Sequence, residues 1–302
     1  MASPTSLYGN NLYNFNDKLI KILGRSTMAV ENIDFSASTA LVTGGSSGIG
    51  RAIAEELVAR GVRQLILVAQ DEAKLSKAAN EIETTAANLT VRTITADLTA
   101  RETAEKIQQE IQGWGWTVDI LVNNAGFGRK YVFAGDIQTD TSLASVDLLV
   151  RAVVDMSLRF LPGMVERRKG GILNIGSTAC YQPVPYTAVY AASKAFVLSF
   201  SQAIREEQRH RNTGVRVACV VPGVTETNLD GSGHGERRGL IEKVGVDQPA
   251  DVAKVAVDTF EENAAAKVVG WNNYAFHTAL GLLPDSVNAA VVANVRGAPG
   301  DE

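Results

Sequence analysis

Short apolar runs alternate with longer amphipathic stretches along this chain from Ser38 onward. Each run is continuous and rich in Val, Ile and Leu, which is typical of a strand buried on both faces of a sheet. Between the runs, apolar residues recur at the spacing of a helix that turns one face to a core. The predicted strands span residues 39–42, 64–68, 91–95, 118–122, 171–175 and 215–221. The predicted helices span residues 49–60, 72–84, 100–111, 141–168 and 188–209.

This alternation predicts the fold class, a doubly wound parallel sheet of the Rossmann type with three layers, α/β/α. We expect a single domain over residues 37–302, because no repeat, linker or second core interrupts the pattern. Residues 1–36 combine Asn, Tyr and Ser and lack the long apolar stretch of a secretory signal, so we expect a partly ordered N-terminal extension. Within it, the basic and apolar segment 17–25 leaves open a cap on the domain, a contact with a partner or a contact with a membrane surface.

Composition and charge narrow the class of protein. Apolar residues make up 45% of the chain and charged residues 21%, which is typical of an ordinary globular protein. A formal net charge of -4 without a basic cluster argues against a nucleic-acid partner. The chain has no run of about 18 apolar residues, so no transmembrane segment is predicted, and its three scattered histidines predict no metal site. Two cysteines, Cys180 and Cys219, favour a reducing, cytoplasmic location over a disulfide framework.

The first predicted strand runs directly into a glycine-rich segment, Thr43-Gly-Gly-Ser-Ser-Gly-Ile-Gly50, which opens the first helix. Glycine permits a tight turn, the approach of backbone to a pyrophosphate, and close packing of helix on strand. The helix N-terminus adds unpaired N–H groups and a positive dipole that favour an anion. The segment therefore predicts a dinucleotide site. Asp97 follows the third strand, where it would either meet an adenine amino group or cap the next helix.

A second candidate site lies where the apolar run Gly171-Ile-Leu-Asn-Ile-Gly176 ends in Ser177. After a loop with two prolines, the predicted helix 188–209 carries Tyr190 and Lys194, four residues apart and therefore on one helical face. An ammonium beside a phenol favours the phenolate and lowers the pKa of the tyrosine, while a hydroxyl can hydrogen-bond a substrate oxygen. The three side chains together predict a proton-transfer site.

Taken together, these motifs resemble the short-chain dehydrogenase/reductase family from about residue 38 to about residue 270. The segments that carry the family's order and spacing are Thr43–Gly50, Asp97-Leu98, Asn123-Asn-Ala-Gly126, Ser177, Tyr190-x-x-x-Lys194 and Pro222-Gly223. The resemblance implies that Ser177 polarises the substrate oxygen, that Tyr190 is the catalytic acid and base, and that Lys194 holds the nicotinamide ribose and tunes Tyr190. It also implies the residues that contact a nicotinamide dinucleotide: Gly44, Ser46, Ser47, Gly48, Ile49, Gly50, Gln70, Asp97, Leu98, Asn124, Ala125, Gly126, Tyr190, Lys194, Pro222, Gly223 and Thr227.

The residues after the second predicted strand, Ala69-Gln70-Asp71, bear on the choice between NADP(H) and NAD(H). An acid at position 69 or 70 would hydrogen-bond the ribose 2′-hydroxyl and repel a 2′-phosphate. That acid is absent here, and so is the arginine that many NADP-dependent relatives carry in place of Gln70. Ser46, Ser47 and Gln70 can donate to a phosphate, and Arg51 lies close to them in sequence. We therefore expect NADP(H) to be favoured over NAD(H).

One position departs from the family pattern. The resemblance implies a fourth catalytic residue, an asparagine in the long helix before the fifth strand, and Leu149 stands at that place. Leucine can neither donate nor accept a hydrogen bond. Either Leu149 joins an apolar stripe with Val153, Met156 and Phe160 while another group holds the water that the asparagine binds in relatives, or the proton relay is lost. Ion pairs, rather than a replacement relay, are predicted for the neighbouring stripe of Asp147, Arg151, Asp155 and Arg159.

We expect an enzyme, an NAD(P)(H)-dependent oxidoreductase of the carbonyl reductase type that interconverts a carbonyl and a secondary alcohol of a small molecule. The alternatives are an isomerase or cyclase that uses the bound cofactor without net redox, and a non-catalytic dinucleotide-binding subunit. We expect the segment near 225–245 to form a substrate lid, and the apolar tail 271–295 to form either an interface or a flap over the substrate. The resemblance also implies a homodimer or homotetramer.

Overall fold

The computed structural model describes residues 32–134, 139–225, 246–280 and 283–296. Its strands are β1 (Thr39–Thr43), β2 (Gln64–Ala69), β3 (Thr90–Thr95), β4 (Ile120–Asn123), β5 (Gly171–Ile175), β6 (Arg216–Val221) and β7 (Ala266–Val268). Its helices are α1 (Gly48–Ala59), α2 (Glu72–Glu83), α3 (Thr103–Gly113), α4 (Thr139–Val146), α5 (Ala152–Arg167), α6 (Ala188–His210), α7 (Pro249–Glu261), α8 (Trp271–Leu280) and α9 (Asp285–Arg296). A π-helical turn, Asp147–Arg151, joins α4 to α5, and a 3₁₀ turn, Thr178–Tyr181, follows β5.

The strands pair in parallel to form one sheet in the order β3-β2-β1-β4-β5-β6-β7. Leu41 of β1 lies opposite Ile66 of β2 on one side and Leu121 of β4 on the other. The chain therefore builds outward from β1 to β3 and then crosses back to start the second half at β4. At such a switch point the loops after two neighbouring strands diverge, which opens a crevice at the carboxyl ends of the strands. The predicted fold class is confirmed.

Successive strand residues face two different apolar cores. Ala40 and Val42 face the core beneath α1, α2 and α7, whereas Leu41 faces the core beneath α3 and α5. Because helices cover both faces, β1, β5 and β6 are buried along their whole length, which explains their continuous apolar sequence. Phe35 packs into the first of these cores, so the residues just before β1 belong to the domain. Residues 1–31 of the expected N-terminal extension lie outside the described ranges.

The long helix predicted over residues 141–168 is present, with helical structure from Thr139 to Arg167, but it contains a π-turn. In this turn, Asp147–Arg151, the N–H of Ala152 donates to the carbonyl oxygen of Asp147, five residues back. A π-turn adds one residue to a single turn of helix. Buried apolar residues still recur three or four positions apart across it, at Leu149, Val153, Met156 and Phe160, so the sequence pattern gives no sign of the π-turn.

The carboxyl-terminal part of the chain contains more regular structure than the sequence pattern indicated. Helix α7, the short strand β7, and two tail helices, α8 and α9, all lie beyond the last predicted strand. Strand β7 pairs with β6 over three residues only, which is too short for its pattern to stand out. Apart from Thr225, the expected lid near 225–245 lies outside the described residues. In the part of the chain that the structure describes, no helix is both long and apolar enough to cross a membrane.

Candidate active site

The turn between β1 and α1 is a cradle of glycine backbone. Gly44 has a φ of +67°, in the left-handed region that glycine adopts without strain. A Cβ at this position would lie 2.8 Å from Nδ2 of Asn124. A Cβ on Gly50 would lie 2.3 Å from the carbonyl oxygen of Gly44. Only glycine fits these two positions, and the resulting close approach of bare backbone suits the pyrophosphate of a dinucleotide.

The N-terminus of α1 faces this cradle. Ser47 is the N-cap residue, and its side chain makes no capping hydrogen bond to the first turn. The N–H groups of that turn therefore lack the partner that an N-cap side chain commonly gives them, which suits an anionic ligand. Ser47 is exposed and Ser46 is half-buried, while Ile49 packs against the core and holds the helix on the sheet. Gly48, with a φ of +54°, allows the chain to enter the helix directly from the turn.

Asn124 and Ala125 tie the end of β4 to the end of β1. The Asn124 side chain donates from Nδ2 to the carbonyl oxygen of Thr43 at 2.9 Å. The backbone N–H groups of Asn124 and Ala125 both donate to Oγ1 of Thr43, at 3.0 and 3.1 Å. One residue further on, a Cβ added to Gly126 would lie 2.7 Å from Cδ2 of Leu149 and 3.9 Å from Nζ of Lys194. This segment is therefore the wall that connects the glycine cradle to the catalytic candidates.

Gln70 and Asp97 meet where β2 and β3 end. Oδ1 of Asp97 accepts hydrogen bonds from the backbone N–H and the hydroxyl of Thr99, at 2.8 and 2.7 Å. Partial burial alone would raise the pKa of Asp97, but the hydrogen bonds from Thr99 and from the Gln70 side chain outweigh it and lower the pKa. Leu98 is buried, and Arg151 donates to the carbonyl oxygens of Leu98 and Thr99 at 3.1 and 2.8 Å. These hydrogen bonds hold together Gln70, Asp97 and Leu98, the residues predicted to lie on the adenine side of the site.

Charged residues near the end of β2 are engaged with each other. Arg51 forms ion pairs with Glu55 at 2.8 Å and with Glu81 at 2.7 Å. Asp71 caps α2 by accepting the backbone N–H of Lys74 at 3.0 Å. Asp71 is therefore turned toward its own helix, and Gln70 is the polar side chain that β2 presents at its end.

Lys194 is a buried ammonium beside the aromatic ring of Tyr190. It is 5% exposed, and its Nζ donates to the carbonyl oxygen of Ile175 at 2.7 Å. The same nitrogen lies 5.8 Å from the centroid of the Tyr190 ring. Burial lowers the pKa of Lys194 to about 8, although the neighbouring thiols of Cys219 and Cys180 act in the opposite direction. A lysine with this pKa can change its protonation state near neutral pH.

Ser177 and Tyr190 complete the predicted catalytic set at the carboxyl end of β5. Ser177 caps the 3₁₀ turn, and its Oγ accepts the backbone N–H of Ala179 at 3.2 Å. The Tyr190 ring lies against the backbone of Gly128, where an added Cβ would be 3.1 Å from Cδ2 of the ring. Ser177 follows the strand whose last carbonyl holds Lys194, so all three side chains belong to one end of the sheet.

Leu149 lies within the π-turn, with its side chain against Gly126. It is 1% exposed, and Val153, Met156 and Phe160 are buried as well. These four residues are therefore buried, as expected if they form an apolar stripe on one helical face. The charged stripe beside it forms the predicted ion pairs, Arg151 with Asp147 at 2.7 Å and Arg159 with Asp155 at 2.8 Å.

A buried amide network links the central strands to the catalytic helix, and the sequence analysis missed it. Asn123 of β4 donates from Nδ2 to Oδ1 of Asn174 on β5 at 2.9 Å. Asn174 in turn donates from Nδ2 to Oγ of Ser201 at 2.8 Å. Ser201 lies two helical turns after Lys194 on α6, so the network fixes the helix that carries Tyr190 and Lys194 against the sheet. An asparagine inside each of two otherwise apolar strand runs was the available signal.

The loop after β6 is also part of the site. Pro222 accepts the backbone N–H of Thr178 at its carbonyl oxygen, 2.9 Å away, which joins this loop to the turn that follows Ser177. Gly223 contacts Asp247 and Asn273, which no sequence motif singled out. Thr227, a predicted cofactor contact, lies outside the described residues.

The apolar tail packs over the loop that follows Ser177. Leu280 and Val292 share a buried cluster with Ala179, Val184 and Ala191. Phe276 and Tyr190 pack against the same cluster, so tail residues lie close to the candidate acid. His277 lies with Nδ1 2.8 Å from Oε1 of Gln182 in the same loop. Among the described residues, no group of three or more His, Cys, Asp or Glu side chains is arranged to hold a metal ion.

The doubly wound sheet, the glycine cradle and the buried lysine beside a tyrosine are typical of enzymes that use a nicotinamide dinucleotide. A family model described as short chain dehydrogenase matches residues 38–237. The very-long-chain 3-oxoacyl-CoA reductase of Mus musculus is 34% identical over 251 residues, which cover 81% of this chain and 73% of that protein. The chain belongs to the short-chain dehydrogenase/reductase family.

Solved structures agree with this assignment. The L-sorbose reductase of Gluconobacter frateurii, complexed with NADPH and L-sorbose, is 27% identical with a TM-score of 0.69, over 80% of this chain and 97% of that one. The 3-ketoacyl-(acyl-carrier-protein) reductase of Brucella melitensis, complexed with NADH, is 25% identical with a TM-score of 0.68, over 78% and 98%. As a member of this family, the chain is an NAD(P)-dependent oxidoreductase that interconverts a carbonyl and an alcohol.

Proposed function

We propose that this chain is an NADP(H)-preferring carbonyl reductase in which Tyr190 is the acid, Ser177 binds the substrate oxygen and Lys194 tunes Tyr190. The observation that carries the proposal is the burial of the Lys194 ammonium beside the Tyr190 ring, with Nζ 2.7 Å from the carbonyl oxygen of Ile175. Away from water, a positive charge stabilises a nearby phenolate more strongly than it would at the surface. The arrangement lowers the cost of moving the phenolic proton.

Each side chain has a separate part in carbonyl reduction. A nicotinamide dinucleotide held in the glycine cradle would supply a hydride to the carbonyl carbon. Negative charge then develops on the substrate oxygen, to which Ser177 donates a hydrogen bond from its hydroxyl. Tyr190 donates its phenolic proton to the same oxygen, and Lys194 stabilises the phenolate that is left. The carbonyl of Ile175 keeps Lys194 in position throughout.

The two ends of the dinucleotide have different partners in this proposal. The glycine cradle of Gly44–Gly50, with Ser46 and Ser47, holds the pyrophosphate and the adjoining phosphate oxygens. Asp97 and Leu98 contact the adenine. At the other end, the residues that would contact the nicotinamide and its ribose are Asn124, Ala125, Gly126, Tyr190, Lys194, Pro222 and Gly223. Thr227, which the family resemblance adds to this set, lies outside the described residues.

The preference for NADP(H) rests on the end of β2. Gln70 is exposed there, no acid stands at position 69 or 70, and Asp71 is turned toward α2 by its capping bond. An uncharged amide does not repel a 2′-phosphate and can donate to it. The structural relative from Gluconobacter frateurii was solved with NADPH and that from Brucella melitensis with NADH, so the proposed preference rests on this chain's own residues.

For the substrate we propose an apolar ketone of the 3-oxoacyl thioester class. The relatives from Mus musculus and Brucella melitensis are named as reductases of 3-oxoacyl or 3-ketoacyl groups. In this chain, the side chains beside Tyr190 are apolar and come from the tail and from the loop after Ser177: Ala179, Val184, Phe276, Leu280 and Val292. A wall of this kind suits an acyl chain better than a sugar.

The test is the loss of NADPH in the presence of 3-oxoacyl-CoA substrates of increasing chain length, with L-sorbose as a polar comparison. We expect kcat/KM to rise with chain length, to exceed the value for L-sorbose, and to be higher with NADPH than with NADH. A chain that oxidises NADPH with none of these substrates would contradict the proposal. Higher kcat/KM with NADH would overturn the cofactor preference alone.

We further propose a homodimer or homotetramer formed through α4, α5 and α6. Leu158 is 67% exposed on α5 and Phe196 is 37% exposed on α6, where its ring stacks on that of Phe200. Exposed apolar groups on adjacent helices are typical of subunit contacts. Light scattering should give a multiple of the 32.2 kDa chain mass, and Leu158→Glu should shift the measured mass toward that of the monomer.

The free thiols of Cys180 and Cys219 support a cytoplasmic location, which cell fractionation would test.

A further inference from the structure

We propose that Asp247 and Asn273 are positioning residues for the nicotinamide end of the site, because they hold the backbone of Gly223 and its loop in place. Neither residue belongs to a motif that the sequence analysis identified. The inference rests on the proposed function, in which the loop after β6 faces the nicotinamide.

Asp247 binds two successive residues of this loop. The backbone N–H of Gly223 donates to Oδ2 of Asp247 at 3.1 Å. The backbone N–H of Asp247 donates to the carbonyl oxygen of Val224 at 2.8 Å. Thr225 and Asp247 also form a parallel β-bridge. The segment before α7 therefore runs alongside the loop and fixes its backbone from one side.

Asn273 fixes the orientation of the Asp247 carboxylate. It lies in the first turn of α8, is 5% exposed, and donates from Nδ2 both to Oδ2 of Asp247 at 3.1 Å and to the carbonyl oxygen of Val269 at 2.9 Å. A Cβ on Gly223 would lie 2.3 Å from this nitrogen. The amide therefore packs directly on the α-carbon of Gly223, which accounts for glycine at that position.

The carboxylate is the centre of this arrangement. Its Oδ2 accepts from both Gly223 and Asn273, and hydrogen bonds to an ionised acceptor are stronger than those between neutral groups. Removal of the carboxylate would leave the N–H of Gly223 and the amide of Asn273 without this acceptor, in partly and fully buried surroundings. Burial raises the pKa of Asp247, and the hydrogen bonds from Gly223 and Asn273 only partly oppose the rise.

The other side of the loop is anchored independently of Asp247. The carbonyl oxygen of Pro222 accepts the N–H of Thr178, next to Ser177. The adenosine half of the site is built on β1, β2 and β3, whereas this loop follows β6. Loss of Asp247 should therefore weaken contacts to the nicotinamide half of the cofactor and leave those to the adenosine half unchanged.

The test compares two ligands and three variants. The ligands are NADPH and adenosine 2′,5′-bisphosphate, which lacks the nicotinamide half. Asp247→Ala should raise the Kd of NADPH about tenfold while the Kd of the bisphosphate stays within about twofold of wild type. Asp247→Asn should recover most of the affinity for NADPH, because its side-chain oxygen still accepts hydrogen bonds. Asp285→Ala, which changes an exposed aspartate in the first turn of α9, is the matched control and should behave as wild type.

The outcomes separate this inference from the proposed function. Equal weakening of both ligands by Asp247→Ala, or weakening of neither, would overturn the inference while the cofactor site stands. Wild-type protein that binds neither ligand would overturn the proposed function and the inference with it. If Asp247→Ala does not fold, Asn273→Ala is measured in the same way, and a selective rise of about threefold in the Kd of NADPH is expected.

Discussion

The two halves of the site are built in different ways. The adenosine half depends on backbone: Gly44 and Gly50 form a cradle that a Cβ would fill, at the N-terminus of α1. The catalytic half depends on buried side chains brought together from distant parts of the chain, among them Lys194, Asp247 and Asn273. In the proposed function, local chain geometry determines cofactor affinity, and tertiary packing positions the catalytic side chains. Changes at Gly44 or Gly50 should weaken binding of the whole cofactor, and changes at Asp247 should weaken binding of its nicotinamide half. Changes at Tyr190 or Lys194 should alter turnover.

The largest expected effect is on the catalytic half. Tyr190→Phe removes the proton that the nascent alkoxide needs but keeps the ring against Gly128. Steady-state NADPH oxidation should fall by about a thousandfold in kcat, in the range that general acids contribute. The Kd of NADPH should stay within about twofold of wild type. Retention of wild-type turnover would show that Tyr190 is not the acid.

The next largest effect should be on the adenosine half and appear as a loss of binding. Gly50→Ala places a Cβ 2.3 Å from the carbonyl oxygen of Gly44, so the backbone of the cradle must move. Strain of this kind should raise the Kd of NADPH by about ten- to a hundredfold in a fluorescence titration. Gly113→Ala is the control, since nothing lies within 4 Å of its added Cβ. An unchanged Kd for Gly50→Ala would mean that the cradle does not hold the cofactor.

The pH dependence of turnover should report on the catalytic half alone. Burial lowers the pKa of Lys194 to about 8, so its ammonium form is lost as pH rises through that value. Because carbonyl reduction consumes a proton at this site, kcat/KM should be level below about pH 8 and fall roughly tenfold per pH unit above it. If kcat/KM at about pH 10 equals its value at about pH 7, loss of the Lys194 ammonium does not control turnover.

The same shift has a consequence for stability. In the unfolded chain the pKa of the lysine is its ordinary value of 10.5, whereas in the folded chain it is about 8. Between these values the unfolded state binds more protons, so Lys194 makes the free energy of unfolding rise with pH. Urea titrations across this window should show the rise in wild type and a smaller one in Lys194→Met.

The smallest effect is expected at Leu149, where the two halves meet. Its side chain is buried beside Gly126, and an amide there would need hydrogen-bond partners that a leucine does not need. Leu149→Asn should lower stability by about 1–3 kcal/mol in denaturant titrations and leave kcat within about threefold of wild type. A rise in kcat of tenfold or more, about 1.4 kcal/mol in the barrier, would instead show that leucine has cost this chain a proton relay.

The adenosine half of the site could be predicted from the sequence more completely than the catalytic half. The segment from Thr43 to Gly50 is contiguous, so its spacing alone indicated the cradle that the structure contains. Tyr190 and Lys194 could be identified from the sequence because helical spacing places them on one face. Asp247 and Asn273 could not be identified in this way, because they contact Gly223 from distant positions in the chain and belong to no recognised motif.

The strands were predictable for the same kind of reason, and the π-turn was not. Burial on both faces of the sheet leaves a continuous apolar run that can be read locally, as in β1 and β6. The π-turn at Asp147–Arg151 adds one residue to a single helical turn, and the spacing of apolar residues does not reveal it.

The most direct test of the central claim follows the hydride itself. NADPH deuterated at both C4 positions is incubated with a 3-oxoacyl-CoA, and the product is analysed by mass spectrometry. We expect a 3-hydroxyacyl product with one deuterium on the carbinol carbon, formed in proportion to the NADPH consumed. A product without deuterium, or an isomer with the mass of the substrate, would contradict it and show that the cofactor assists a reaction without net redox.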